Sequence, residues 1–169
     1  IRSPRGKNKN GSLSQITPVD LLSKLMLALE KKYQLDTSLI DDVIIGCVMP
    51  VNDQGANIGK IAAQYSGWDV DIPSMQINRC CGSGLEAVNL AAMKIRSGWE
   101  DLIVSGGIEC MSRVPIGADG GPMAFETKVA SRTNYVPQGI GADLIATIEG
   151  FTRQDLDCLL YTSPSPRDS

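Results

Sequence analysis

A short run, Ser74-Met75-Gln76-Ile77, reads as a strand, and from Leu85 onward Leu85, Val88, Ala91, Ala92 and Ile95 recur at helical spacing. The join between them is Asn78-Arg79-Cys80-Cys81-Gly82-Ser83-Gly84, two adjacent cysteines set against a Gly-Ser-Gly turn. A strand that feeds straight into a helix through glycines belongs to a layered α/β sheet, and such sheets take ligands at the carboxyl ends of their strands. The unpaired N–H groups of a helix start carry roughly half a positive charge, so a cysteine there ionises more readily than one in a coil. Spacing alone does not say which cysteine is the nucleophile. Cys81, nearest the helix amides, is favoured, and Cys80 is expected to point elsewhere. The plainer reading makes both buried small hydrophobes, as most free cysteines are.

The flanking sequence repeats the alternation. Thr17, Pro18 and Asp20 read as an N-cap, a first-turn proline and a short capping-box partner. The helix they open carries Leu21, Leu22, Leu25, Met26 and Leu29 on one face, Lys24, Glu30, Lys31 and Lys32 on the other, and ends near Tyr33. Val43-Ile44-Ile45-Gly46-Cys47-Val48 is a continuous apolar run, the pattern of a strand buried on both faces. Residues 56–65 read as a short helix with Ile58, Ile61, Ala62 and Tyr65 on one face. Leu102-Ile103-Val104-Ser105 is a further strand running into Gly106-Gly107. Helices and strands therefore alternate, and parallel pairing through right-handed crossovers is the economical topology. Beyond Pro115 the pattern weakens: residues 117–122 form a glycine-rich loop, residues 142–150 are helical, and Thr152 with Asp155 makes another N-cap and capping box.

Among 169 residues, 43% are hydrophobic and 21% charged, enough for one domain with a core. A net charge of -3 argues against a nucleic-acid or anionic-membrane surface, and no apolar run approaches the length of a membrane span. The five cysteines, Cys47, Cys80, Cys81, Cys110 and Cys158, form no CxxC pair, and there is no histidine, so a zinc site is not expected and the thiols should be reduced, as in an intracellular protein.

Residues 77–95 resemble the active-site segment of the thiolase family, an aliphatic residue and Asn shortly before a Cys-Gly-Ser-Gly turn and helix. Ile1-Arg2-Ser3-Pro4-Arg5-Gly6-Lys7 is similar to the family's Arg-Thr-Pro-x-Gly-Lys segment after its first strand. Gly106-Gly107-Ile108-Glu109-Cys110-Met111-Ser112-Arg113-Val114-Pro115 resembles its Gly-Gly-x-Glu-Ser-Met-Ser segment, and Gln138-Gly139-Ile140-Gly141-Ala142-Asp143 is a looser match to Met-Gly-x-Thr-Ala-Glu.

The resemblance implies a layered α-β-α half-core with a mostly parallel sheet over residues 1–116, the family's first strand and the true N-terminus lying outside the sequence. Residues 117–157 would begin the inserted loop domain that covers coenzyme A, and the cysteine helix would be buried between two core halves. Residues 158–169, with two Ser-Pro pairs, interrupt the helix that Thr152 opens. They resemble translated sequencing-adapter read-through, and we expect a non-native, disordered tail.

The resemblance also assigns the chemistry. Cys81 would be the nucleophile that cleaves a 3-ketoacyl-CoA, its backbone N–H a candidate oxyanion donor, and coenzyme A a co-substrate, with no resident cofactor. The family's activating histidine in Gly-His-Pro, its Asn-Glu-Ala-Phe segment and its second cysteine in Cys-x-Gly-Gly-Gly belong to the other half. The absence of any histidine makes this chain alone inactive by expectation. Asn78 and Arg79 read as a structural hydrogen-bonder and a solvated or interface charge, Glu109 and Met111 as holding the loop after the last strand, Met111 also as a candidate wall of the acyl pocket. Three assignments follow in order: a degradative thiolase of fatty-acid β-oxidation, the acetoacetyl-CoA-forming biosynthetic type, and a non-catalytic thiolase-like lipid- or partner-binding module. An intact Cys-Gly-Ser-Gly turn speaks against the last. A redox role for Cys80 and Cys81 is disfavoured because adjacent cysteines bridge poorly. The family implies a homodimer or homotetramer in a cytoplasmic or other intracellular setting, with organellar targeting open.

Overall fold

The computed structural model describes residues 1–7 and 10–162. It divides into two compact units, Ile1–Asp119 and Gly120–Ser169.

In the first unit, α1 (Pro18–Tyr33) starts as its sequence dictates: the Thr17 hydroxyl accepts the Asp20 N–H at 3.2 Å, and Pro18 fills the first turn. Then come β1 (Asp42–Gly46), α2 (Ile58–Tyr65), β2 (Ser74–Ile77), α3 (Ser83–Arg96) and β3 (Ile103–Gly107). The strands form a parallel sheet in the order β2-β1-β3. Val43 pairs with Ser74 and Val104, and Gly46 with Ile77 and Gly107, so the three carboxyl ends finish level.

Side-chain alternation along β1 builds a core on each face. Val43 and Ile45 point toward Leu22, Met26, Ile58, Ala62 and Trp68. Ile44 points the other way, toward Ala87 and Ala91 with Met75, Leu90 and Ile103. All five residues of β1 are buried, which accounts for the unbroken apolar run that starts at Val43. Burying each of these branched side chains contributes roughly 1.5–3 kcal/mol. The architecture is the expected α/β layering.

On two helices the apolar periodicity and the buried side do not coincide. On α2 the buried residues are Ile58, Gly59, Ala62 and Ala63, while Ile61 and Tyr65 are exposed. Gly59 turns the helix: a Cβ there would lie 2.6 Å from the Ser74 hydroxyl oxygen and 2.8 Å from Ile45, so its bare side packs closest to the sheet. On α3, Ser83, Ala87 and Ala91 are buried, whereas Leu85 (69% exposed), Val88 (48%) and Ile95 (40%) face outward. The helix is apolar on two sides, and small residues take the side against the sheet.

Two polar clusters, one largely buried and one exposed, pin the ends. Lys94 lies 2.6 Å from both Asp42 and Glu100, tying the end of α3 to the start of β1. The Asp41 carboxylate accepts the N–H groups of Asp101 and Leu102 at 2.8 and 2.9 Å, fixing the approach to β3.

The second unit is helical, with α4 (Pro122–Phe125), α5 (Thr127–Thr133), α6 (Gln138–Glu149) and α7 (Arg153–Thr162). The expected capping box is present: Asp155 accepts from the Thr152 N–H at 2.8 Å, and Thr152 accepts the Asp155 N–H at 3.2 Å. Helix α7 runs through Cys158 to Thr162, so the chain stays helical past the point where a disordered tail was expected. The Ser-Pro pairs of that tail lie outside the described residues.

Candidate active site

The carboxyl end of the sheet is where α3 begins, and glycines let it come close. A Cβ on Gly46 would sit 2.4 Å from the Ser83 carbonyl carbon and oxygen and 2.6 Å from the Gly84 nitrogen, and one on Gly107 would lie 3.4 Å from the Gly84 Cα. The helix terminus therefore rests directly on the ends of β1 and β3. A cleft of about 330 Å³ opens there, lined by Gly46, Val48, Cys80, Cys81, Ser83, Gly84, Gly107, Ile108 and Glu109.

Cys81 stands just before Gly82, the N-cap of α3, and is exposed to this cleft. Cys80 was expected to point elsewhere, yet it too is exposed and lines the same cleft. It also takes up the turn: its φ of 46° lies in the left-handed region, which costs a side chain with a Cβ roughly 1–2 kcal/mol.

Hydrogen bonds hold that turn from both sides. Ser83, buried at 3% exposure, accepts the Arg79 N–H at 2.8 Å and donates its hydroxyl to the Cys80 carbonyl at 2.6 Å. Asn78 accepts the Cys80 N–H at 2.9 Å and donates its amide to the Val48 carbonyl at 3.0 Å. Asn78 is thus a structural hydrogen-bonder, as the sequence suggested. Arg79 is 69% exposed and pairs with Glu86 at 3.1 Å, a solvated charge.

Glu109 binds two neighbouring loops. Its carboxylate accepts the Val48 N–H at 2.8 Å and the Gln54 side-chain amide at 2.7 Å. Gln54 is fully buried; its oxygen accepts the Cys110 N–H at 2.5 Å, and its amide also reaches the Met49 carbonyl at 2.9 Å. Sequence reasoning assigned Glu109 to its own loop only and missed Gln54 and Ser83. A polar residue in a connection or at a helix end carries no periodicity, so only the fold reveals its partners.

The other cysteines differ. Cys47 is 1% exposed, and burial, reinforced by the Glu109 charge, pushes its thiol up to about 11. It stays protonated at neutral pH and is no nucleophile. Cys110 is buried, and Cys158 in the second unit is exposed. Among the described residues no group of three or more His, Cys, Asp or Glu side chains could hold a metal ion. No helix among them is long and apolar enough to cross a membrane.

Sheet, crossovers and junction define an α/β protein that presents an exposed cysteine at the carboxyl end of a parallel sheet. The family model for the thiolase N-terminal domain matches residues 1–159, and the chain belongs to that family. It is 37% identical over 160 residues to a 3-ketoacyl-CoA thiolase of Shewanella loihica, covering 93% of this chain and 41% of the relative. It is 34% identical over 166 residues to one of Pseudoalteromonas translucida, covering 96% and 42%. The crystal structure of a Bacillus anthracis acetyl-CoA acetyltransferase matches with a TM-score of 0.62 at 34% identity, over 67% of this chain and 28% of that one. The chain thus spans about two fifths of the length of the curated relatives it matches.

Proposed function

We propose that the intact protein is an acyltransferase that cleaves a 3-ketoacyl-CoA with coenzyme A, giving acetyl-CoA and a shortened acyl-CoA, with Cys81 as nucleophile. The observation that carries this is Cys81 itself, exposed beside the N-terminus of α3 in the cleft over β1 and β3, in a chain with thiolase-domain sequence to residue 159.

The Cys81 thiolate attacks the 3-keto carbon, and the bond between C2 and C3 breaks with its electron pair leaving as the enolate of acetyl-CoA, which takes a proton at C2. The acyl group, held as a thioester on Cys81, passes to the thiol of coenzyme A, whose proton leaves and whose sulfur replaces Cys81. The Cys81 N–H is the candidate donor to the developing oxyanion. Proton transfers that need an imidazole fall to residues outside this chain, since it contains no histidine. The apolar outer face of α3, with Leu85, Val88 and Ile95, suits burial against the second core half. Residues 117–157 serve as the start of the segment covering coenzyme A, and the Ser-Pro stretch beyond the family match, which ends at residue 159, is a non-native tail.

The degradative direction, in β-oxidation, agrees with the names of the curated relatives. The acetoacetyl-CoA-forming direction is the second reading, favoured by the acetyl-CoA acetyltransferase match. A homo-oligomeric, intracellular enzyme fits either. Thiolysis by the full-length protein across 3-ketoacyl-CoA chain lengths separates them: turnover extending to long chains supports the first, and turnover confined to acetoacetyl-CoA supports the second. Turnover that persists in Cys81→Ser removes both.

A further inference from the structure

We propose that Glu109 is a positioning residue for Cys81, acting through Val48 and Asn78 on the left-handed turn at Cys80. The inference rests on reading Cys81 as the nucleophile and deepens it. One peptide segment connects the two ends. Glu109 takes the Val48 N–H at 2.8 Å, the Val48 carbonyl takes the Asn78 amide at 3.0 Å, and the Asn78 oxygen takes the Cys80 N–H at 2.9 Å. At the far end the Glu109 carboxylate is anchored by Gln54, which is fully buried and itself held by the Cys110 N–H. The loops after β1, β2 and β3 are thereby joined through side chains. The chain of bonds ends on the residue whose φ of 46° directs the backbone into Cys81.

The chemistry of Glu109 favours this role. A carboxylate accepting two N–H groups makes bonds roughly twice as strong as neutral ones, and here they fix the position of Val48, whose carbonyl in turn holds Asn78. Glu109 lines the Cys81 cleft, yet its charge opposes a second negative charge there. By electrostatics alone its removal would make Cys81 react faster. By positioning, its removal slackens the turn and makes Cys81 react more slowly. The two roles predict opposite signs.

The test uses the full-length protein, with Cys80 and Cys81 alkylation by iodoacetamide resolved by fragment mass spectrometry. The unsubstituted chain labels Cys81 ahead of Cys80. Glu109→Gln keeps the shape but presents an amide to one of the two donors. It slows Cys81 by roughly two- to fivefold, the rate equivalent of losing a helix-terminus interaction, and leaves Cys80 unchanged or faster. Asn78→Ala, which leaves the Glu109 and Gln54 bonds intact, has the same effect. The double variant is no slower than the slower single one, because both cut one path. Thermal unfolding of each variant separates a folded, slackened turn from a general loss of structure, and Asn78→Ala carries the test if Glu109→Gln does not fold. An unchanged or faster Cys81 in Glu109→Gln, or multiplying effects in the double variant, overturns the positioning role alone. No preference for Cys81 in the unsubstituted chain overturns both the positioning role and the nucleophile reading.

Discussion

Replacing Gly46 by alanine tests how the cysteine helix is seated. The added Cβ would lie 2.4 Å from the Ser83 carbonyl carbon and oxygen, whereas ordinary van der Waals contact begins near 3.4 Å, so the start of α3 must retreat by about 1 Å. Its opponents are backbone atoms, which have no rotamer to change. Overpacking of this kind costs roughly 1–3 kcal/mol, and a backbone clash belongs at the upper end, about 3 kcal/mol. At this chain length roughly 2–4 °C of melting temperature accompanies each kcal/mol, so the loss is about 6–12 °C. A displacement of 1 Å at the nucleophile would also lower turnover of the full-length enzyme by about 100-fold. Gly106→Ala is the control, since nothing lies within 4 Å of its Cβ. Calorimetry of the two variants, with Cys81 alkylation alongside, decides the matter. A Gly46→Ala protein that melts with the control and labels Cys81 at the unsubstituted rate would refute the close seating of α3 on β1.

Other expectations follow from the polar ties and the buried thiol. Lys94→Met leaves the buried Asp42 carboxylate unpaired and should cost about 3 kcal/mol by denaturant unfolding, as removal of one partner of a buried pair does. Burial opposes the Lys94 charge, but the bonds and charges of Asp42 and Glu100 outweigh it and raise the group. Its stabilisation is therefore complete below the usual lysine range and lost as pH rises through the raised value, a high-pH limb that Lys94→Met should remove. The Leu102 and Asp101 N–H groups hold the Asp41 carboxyl below its ordinary value. That contribution is present above the usual carboxylate range and lost as pH falls through the lowered value, and Asp41→Asn should flatten this acid limb in a melting series. Cys47, pushed up to about 11, should resist alkylation at pH 8 in the folded chain and label only on unfolding. Resequencing the source transcript across Asp157 should replace the Ser-Pro tail with a continuing helix and later a histidine; a genomic Ser-Pro tail and stop would contradict the tail assignment.

What the sequence disclosed followed from local physics. Thr17 and Thr152 capped helices where a hydroxyl stood before a helical pattern, and Val43 to Ile45 were a strand because both faces of β1 meet helices. The cysteine junction was legible because strand, glycine turn and helix are adjacent in the chain. Periodicity did not say which side of α3 meets the sheet, because the helix has two apolar sides: Leu85 and Val88 carry the larger side chains, yet Ala87 and Ala91 take the sheet side. It failed on α2 because Gly59, invisible to a hydrophobicity pattern, decides which side can approach Ile45. The Glu109, Gln54 and Asn78 bonds join loops that meet only because the strands end level. No spacing in the chain announces that.

The most direct test of Cys81 as nucleophile is to trap the acyl-enzyme. Full-length protein is incubated with labelled acetyl-CoA, quenched in acid and digested, and the label is located by fragment mass spectrometry. The account predicts a thioester on Cys81, absent from Cys81→Ser and discharged by added coenzyme A. Label on Cys80, or no covalent adduct while thiolysis proceeds, would contradict it.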